Sequence, residues 1–146
     1  MTGDQPKIGL SQDAAIVLAL AETAIPFANT REDEAERWVR VLRMHGQVGN
    51  VLQGMGVGEA PLETLADLPA ARTPRKPGEN VVQEVAQAAA RFATGRSADA
   101  VATVDILFAV FEVYGRSFDR ALYIRGASRE ELIERLAAGA GANSAR

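Results

Sequence analysis

Apolar positions recur at helical spacing along most of this chain, and no strand-length run alternates cleanly. Residues 12–25, QDAAIVLALAETAI, are apolar nearly all round, which predicts a buried helix. Ser11 is placed as its N-cap and Asp13 in its first turn, and Pro26 should end or kink it near Ile25. Thr30 opens the next helix. Glu32, Asp33 and Glu34 fall in its first turn and Arg40 and Arg43 near its end, an order that suits the helix dipole. Trp38, Val41, Leu42 and His45 mark its apolar stripe, and Gly46 stops it. QVGNVLQGMGVG predicts a short helix ended by Gly56 or Gly58, and Pro61 suits the first turn of another in APLETLADL.

Residues 69–80, PAARTPRKPGEN, read as a linker too short to separate independent domains. Asn80 then caps VVQEVAQAAARFA, whose Val81, Val82, Val85, Ala89 and Phe92 keep helical spacing. TGRSADAVA reads as a loop, and Thr103 is placed to cap VDILFAVFEVYG. Local propensity would allow a strand there, but its length and helical company favour a buried helix. RSFDRALYIRG forms the next helix, with Gly126 as stop. Ser128 and Glu131 make a capping box for REELIERLA, and AGAGANSAR should fray. The expectation is an all-α fold of four helices, a linker and four helices, with residues 1–10 as a loose arm and 138–146 as a tail.

Composition narrows the chemistry. The 146 residues make one domain of ordinary size, and 47% hydrophobic content is enough for a core. A net charge of -3 offers no broad surface for nucleic acid or an anionic membrane. Arginine outnumbers lysine 14 to 2, which matters for ion-pair geometry more than for function class. The absence of cysteine excludes disulfides and thiolate chemistry, and a single histidine, His45, excludes a two-histidine metal site within the chain. No apolar run reaches membrane-span length and no secretory leader is evident, so a cytoplasmic location is expected.

The chain repeats itself. VLQGMGVGEAPLETLADL (51–68) aligns without a gap on residues 121–138, placing Val51 and Leu52 on Ala121 and Leu122, Gly56 on Gly126 and Leu62 on Leu132. Two such units close one core better than one alone. TVDILFAVFEVYGRSFDRALYIRGASREELIERL (103–136) resembles a repeat of the Clp N-terminal domain, the helical module at the front of Clp and Hsp100 unfoldases. DEAERWVRVLRMHGQVGNVLQGMGVGEAPLETL is similar in its second part and more diverged in its first, and LSQDAAIVLALA looks like the family's opening helix. The resemblance covers residues 10–137. It implies two pseudo-twofold-related four-helix repeats, repeat one at 11–68 and repeat two at 81–137. The ATPase modules of the unfoldases have no counterpart in these 146 residues, so the expectation is a free-standing N-domain or one cut from a longer protein. GNVLQGM puts Met55 where a phosphate-binding loop needs lysine, and GMGVG fails the dinucleotide pattern.

The resemblance also implies a non-enzymatic role in Clp-type proteolysis. Clp N-domains bind peptides, adaptors and, in some bacterial members, phosphorylated arginine. They place acids near the start of the second helix of each repeat. A carboxylate there takes a guanidinium fork, and helix N–H groups meet phosphate. In the first repeat this position falls on Glu34, with Glu36 as the fallback, and Ser11 matches a hydroxyl at the first helix cap. In the second, the family's glutamate falls on Val104 and its histidine on Asp105, a departure from the pattern. The family's second hydroxyl precedes a proline. Thr73 before Pro74 is one match; Pro77 is the other, and it would put Lys76 at that place. Each residue also has a plainer reading: Ser11 as N-cap, Glu32 to Glu36 as a charged first turn, Thr73 as linker, Asp105 as a first-turn acid.

The expected partner is a protein or peptide, bound by a monomer without cofactor, metal, nucleic acid or membrane. Alternatives are a stand-alone decoy, regulator or scavenger of Clp ligands, or a helix-gripping domain like that of the type VI sheath unfoldase. A small hydrolase would need His45 as base beside one of Ser11, Ser97, Ser117 or Ser128, none of which sits in a nucleophile motif. Trp38 and Tyr114 read as core or as partner anchors. Arg72, Arg75 and Lys76 read as a solvated basic stretch or a guide for an acidic partner.

Overall fold

A computed structural model describes residues 8–74 and 79–144. The fold is all-α, with seven α-helices among the described residues. They are α1 (Gln12–Ala24), α2 (Arg31–Leu42), α3 (Gly46–Gly54), α4 (Val81–Gly95), α5 (Thr103–Tyr114), α6 (Arg116–Tyr123) and α7 (Arg129–Ser144). Two strands of two residues, β1 (Gly9–Leu10) and β2 (Ala100–Val101), pair in parallel, in register Gly9 to Ala100 and Leu10 to Val101.

The helix starts follow local chemistry. Ser11 Oγ accepts from Ala14 N, Thr30 Oγ1 from Asp33 N and Asn80 Oδ1 from Gln83 N, each at 3.1 Å. A side-chain oxygen at these places satisfies one of the orphan N–H groups of a first turn. Pro26 acts as expected: α1 gives way to a 3-10 turn at Ile25–Phe27.

The repeated stretches end alike. Gly56 after α3 and Gly126 after α6 both have φ of +82°. Val57 N reaches Leu52 O at 3.0 Å and Gly56 N reaches Gln53 O at 3.0 Å; Ala127 N reaches Leu122 O and Gly126 N reaches Tyr123 O, both at 2.9 Å. This is the same Schellman closure twice, seventy residues apart. The left-handed position needs glycine because a Cβ there crowds the carbonyl.

The core is one cluster drawn from both halves. Trp38, Leu42, Leu52, Ile106, Leu107, Phe118, Leu122 and Leu132 are all fully buried in it. α4 packs along α5, and α1 against α2. Other contacts cross between halves: α2 lies on α6, and α3 on α5 and α7. The segments leading into helices cross as well. β1, before α1, pairs with β2, before α5; Thr30, before α2, bridges to Pro74 in the segment leading toward α4.

Several expectations are corrected. APLETLADL is not a helix: residues 63–67 form turns, and no residue from 60 to 69 is buried. An amphipathic helix needs a face to cover, and here Leu62 N is spent on Ile124 O at 2.8 Å. α2 stops at Leu42 rather than at Gly46, and His45 becomes the N-cap position of α3 without a side-chain capping bond. Thr103 is the first residue of α5 rather than its cap, which is Ala102. α7 runs on to Ser144 where fraying was expected after 137. α7 packs on α3, and Gly139 comes close to the Gln47 side chain of that helix. The arm is tied down from Gly9 onward by β1. Arg75, Lys76 and Pro77 lie outside the described residues.

Candidate functional site

The acid-rich start of α2 is not a solvated face. Glu34 and Trp38, one turn apart, point at α5; Glu32 and Glu36, also one turn apart, point at α6 and the segment that follows α3. Glu34 is 0% exposed and Glu32 5%. Buried carboxylates persist only when hydrogen-bonded or paired, and three networks supply the partners.

The first joins α2 to α5. Trp38 Nε1 donates to Tyr114 Oη at 3.0 Å, and Tyr114 Oη donates to Glu34 Oε1 at 2.6 Å. Arg31 covers the Tyr114 ring with its guanidinium 5.0 Å from the centroid and donates to the Val113 carbonyl. Burial first, and Glu34 beside it second, push the Tyr114 hydroxyl far above its usual pKa, so it stays a donor.

The second joins α2 to the inter-half segment and to α6. Glu32 Oε1 accepts from Thr73 N at 2.5 Å, while Oε2 accepts from Thr73 Oγ1 at 3.1 Å and Ser117 Oγ at 3.2 Å. Burial would raise the Glu32 carboxyl, but the amides of Thr73 and of Glu32 itself, with the two hydroxyls, together hold it below its usual value.

The third network is a carboxylate between two arginines. Glu36 Oε1 is 3.2 Å from Arg125 Nη2 and its Oε2 3.6 Å from Arg120 Nη1. Arg125 is 3% exposed, and burial lowers its pKa against the pull of Glu36. Both arginines also bind main chain. Arg125 donates to Glu59 O at 2.8 Å and Ala121 O at 3.1 Å; Arg120 donates to Leu68 O at 2.7 Å and Pro69 O at 3.2 Å.

The five residues singled out from sequence fall into two groups. Glu34, Glu36 and Thr73 gather around the start of α2. Ser11 and Asp105 each bond the end of β2: Ser11 N donates to Val101 O at 2.9 Å, and Asp105 Oδ2 accepts from Ala102 N at 2.8 Å. Asp105 is buried and grips Arg96 with both oxygens, at 2.8 and 2.7 Å, which raises the Arg96 pKa. All five hold internal partners: Ser11 caps α1, Glu34 takes the Tyr114 hydroxyl, Glu36 pairs with arginine, Thr73 binds Glu32, and Asp105 binds Arg96 and an amide.

Sequence reasoning passed over Arg120 and Arg125, read Glu32 only as a first-turn acid, and weighed Ser117 only as a nucleophile. One signal for Glu32 was available: it follows Thr30 by two residues, as Asp105 follows Thr103. Both are buried carboxylates that accept a backbone amide, but Asp105 takes that of its own helix's N-cap, Ala102, while Glu32 takes that of Thr73 in the inter-half segment. Chemically, the α2–α6 face is a set of guanidinium donors and carboxylate acceptors aimed at peptide main chain. Among the described residues no group of three acids or histidines is arranged to hold a metal ion, and no helix is long and apolar enough to cross a membrane. Fold and site thus define an all-α domain with a buried, main-chain-binding polar seam. No protein-family model matches the chain, and neither does any curated protein.

Proposed function

We propose that this chain is a non-enzymatic protein-binding module, built as a double Clp N-type repeat and serving substrate or adaptor recognition in Clp-type proteolysis. The observation that carries this reading is the recurrence of the α3 and α6 units. Each is a short helix closed by the same Schellman turn on a glycine at φ +82°, and each packs on the long second helix of the other half. The segments leading into helices also pair across the halves, β1 with β2 in parallel and Thr30 with Pro74 antiparallel. The α2–α6 face supports the binding role, because its donors and acceptors match a polypeptide backbone. Of the acids suggested by the family pattern, Glu36 keeps 24% side-chain exposure and is the one within reach of a ligand, while Glu34 is buried against Tyr114 and Asp105 holds the start of α5.

The test is direct binding. Immobilised full-length chain is expected to retain chemically unfolded, carboxymethylated casein, or a purified Clp unfoldase, at about micromolar Kd, roughly 8 kcal/mol of binding. Titration with phosphoarginine reads the acid positions: a response that Glu36→Ala removes assigns that residue. Failure to bind casein, unfoldase and phosphoarginine alike sinks the reading.

A further inference from the structure

From Gly58 to Pro74 the chain crosses the molecule without burying a single residue. Its last part is nonetheless bonded to α2 and α6, mostly through its main chain. Arg120 takes the carbonyls of Leu68 and Pro69, Glu32 takes the Thr73 amide, and Arg31 N donates to Thr73 O at 2.9 Å. Thr73 Oγ1 adds a side-chain contact. Beside it on the same seam are the partly exposed Glu36 and the buried Arg125.

We propose that Leu68–Pro74 is a strap seated in a groove between α2 and α6, and that a partner's unstructured peptide takes the same groove when the strap lifts. The proposal rests on the binding-module reading above and names its ligand: a short linear peptide, recognised by main-chain carbonyls and amides. Three observations carry it. The groove reads backbone, so another sequence can make the same bonds. The strap buries no apolar side chain, so it belongs to the low-stability end of the fold. Arg72, exposed between the two anchor points, is held at φ +57°, a left-handed conformation that a Cβ disfavours. Lifting the strap relieves that strain and leaves Glu32 with Ser117, and Arg120 with Glu36, but both without their main-chain partners, which an incoming main chain supplies. Glycine is the preferred ligand residue at the place of Arg72.

Arg72 lets the strap be tuned without touching the groove. Proline cannot adopt φ +57°, so Arg72→Pro unlatches the strap; Arg72→Gly removes the strain and latches it more tightly. The probe is a fluorescent synthetic peptide of residues 66–74 carrying Arg72→Gly, followed by anisotropy on the full chain. Because a strap-closed population divides the apparent affinity, Arg72→Pro is expected to bind at least about tenfold tighter than the parent chain. Arg72→Gly is expected to bind about fivefold weaker. Amide exchange at Thr73 should speed up in the first variant and slow down in the second. Equal affinities across the three proteins overturn the strap and leave the binding module standing. No binding by an Arg72→Pro chain that is folded by circular dichroism, with Thr73 protection lost, overturns both. If Arg72→Pro does not fold, Arg72→Gly decides alone: binding equal to or tighter than the parent's overturns the strap.

Discussion

Tyr114→Phe removes one oxygen and should be among the costliest conservative changes in this protein. The hydroxyl accepts from Trp38 Nε1 at 3.0 Å and donates to Glu34 Oε1 at 2.6 Å. Trp38 and Glu34 are fully buried and Tyr114 is 5% exposed, so water does not replace the lost oxygen without disturbing the packing. Losing a hydrogen bond to a charged acceptor costs about 1.5–3 kcal/mol, and a stranded indole N–H about 1 kcal/mol more. The expected loss is therefore about 3 kcal/mol, or roughly 10 °C in melting temperature for a domain of this size. Trp38 is the sole tryptophan, so its fluorescence reports urea unfolding from inside the network. The parent chain should also lose stability as pH rises above about 10, where an unfolded tyrosine ionises while the folded Tyr114 does not. Tyr114→Phe lacks that component. A cost below about 1 kcal/mol with unchanged urea slope would refute the argument. So would an alkaline limb identical in both proteins.

Glu32→Gln should flatten the acid limb of stability. A carboxyl with a lowered folded pKa contributes fully above its ordinary value near 4.5, and that contribution is lost as pH falls through the folded value, which urea midpoints between about pH 6 and 2.5 would follow. Gly56→Ala and Gly126→Ala should each cost about 1 kcal/mol, because both positions sit at φ +82°. A Cβ at Gly126 would also come within 3.0 Å of Leu62 Cδ1, but Leu62 is 45% exposed and can move aside, so thermal melts should give nearly equal losses. Ser97→Gly should stabilise by about 1 kcal/mol. Ser97 holds φ +59° in the closure of α4, where Ala98 N bonds Ala93 O at 2.9 Å, and an unchanged or lowered melting temperature would contradict this.

Local grammar was legible from sequence. Ser11, Thr30 and Asn80 cap the helices their spacing assigns, and Gly56 and Gly126 close the helices before them, because capping depends on neighbours within a turn. Tertiary demand was not. Nothing near Glu34 announces that it is buried; its hydrogen-bond partner Tyr114 lies 80 residues away. Pro61 and the Leu62 to Leu68 spacing write a helix that finds no surface to cover. Asp105 was readable as a first-turn acid, but its grip on Arg96 brings in a residue from the end of the preceding helix. The seam was illegible for a further reason. Arg120 and Arg125 bind carbonyls, and carbonyls carry no sequence signature.

The crossed packing has a consequence for synthesis. α2 finds its cover on α6 and α3 on α5, so neither half owns a closed core. While the chain is being made, Trp38 and Leu42 stay unsheathed until the ribosome has released the residues of α5 and α6. Folding is then a late event, with most of its long-range contacts closing together. A nascent chain of this design keeps the apolar faces of its first helices open to other proteins until its second half has emerged, and only then becomes a finished domain.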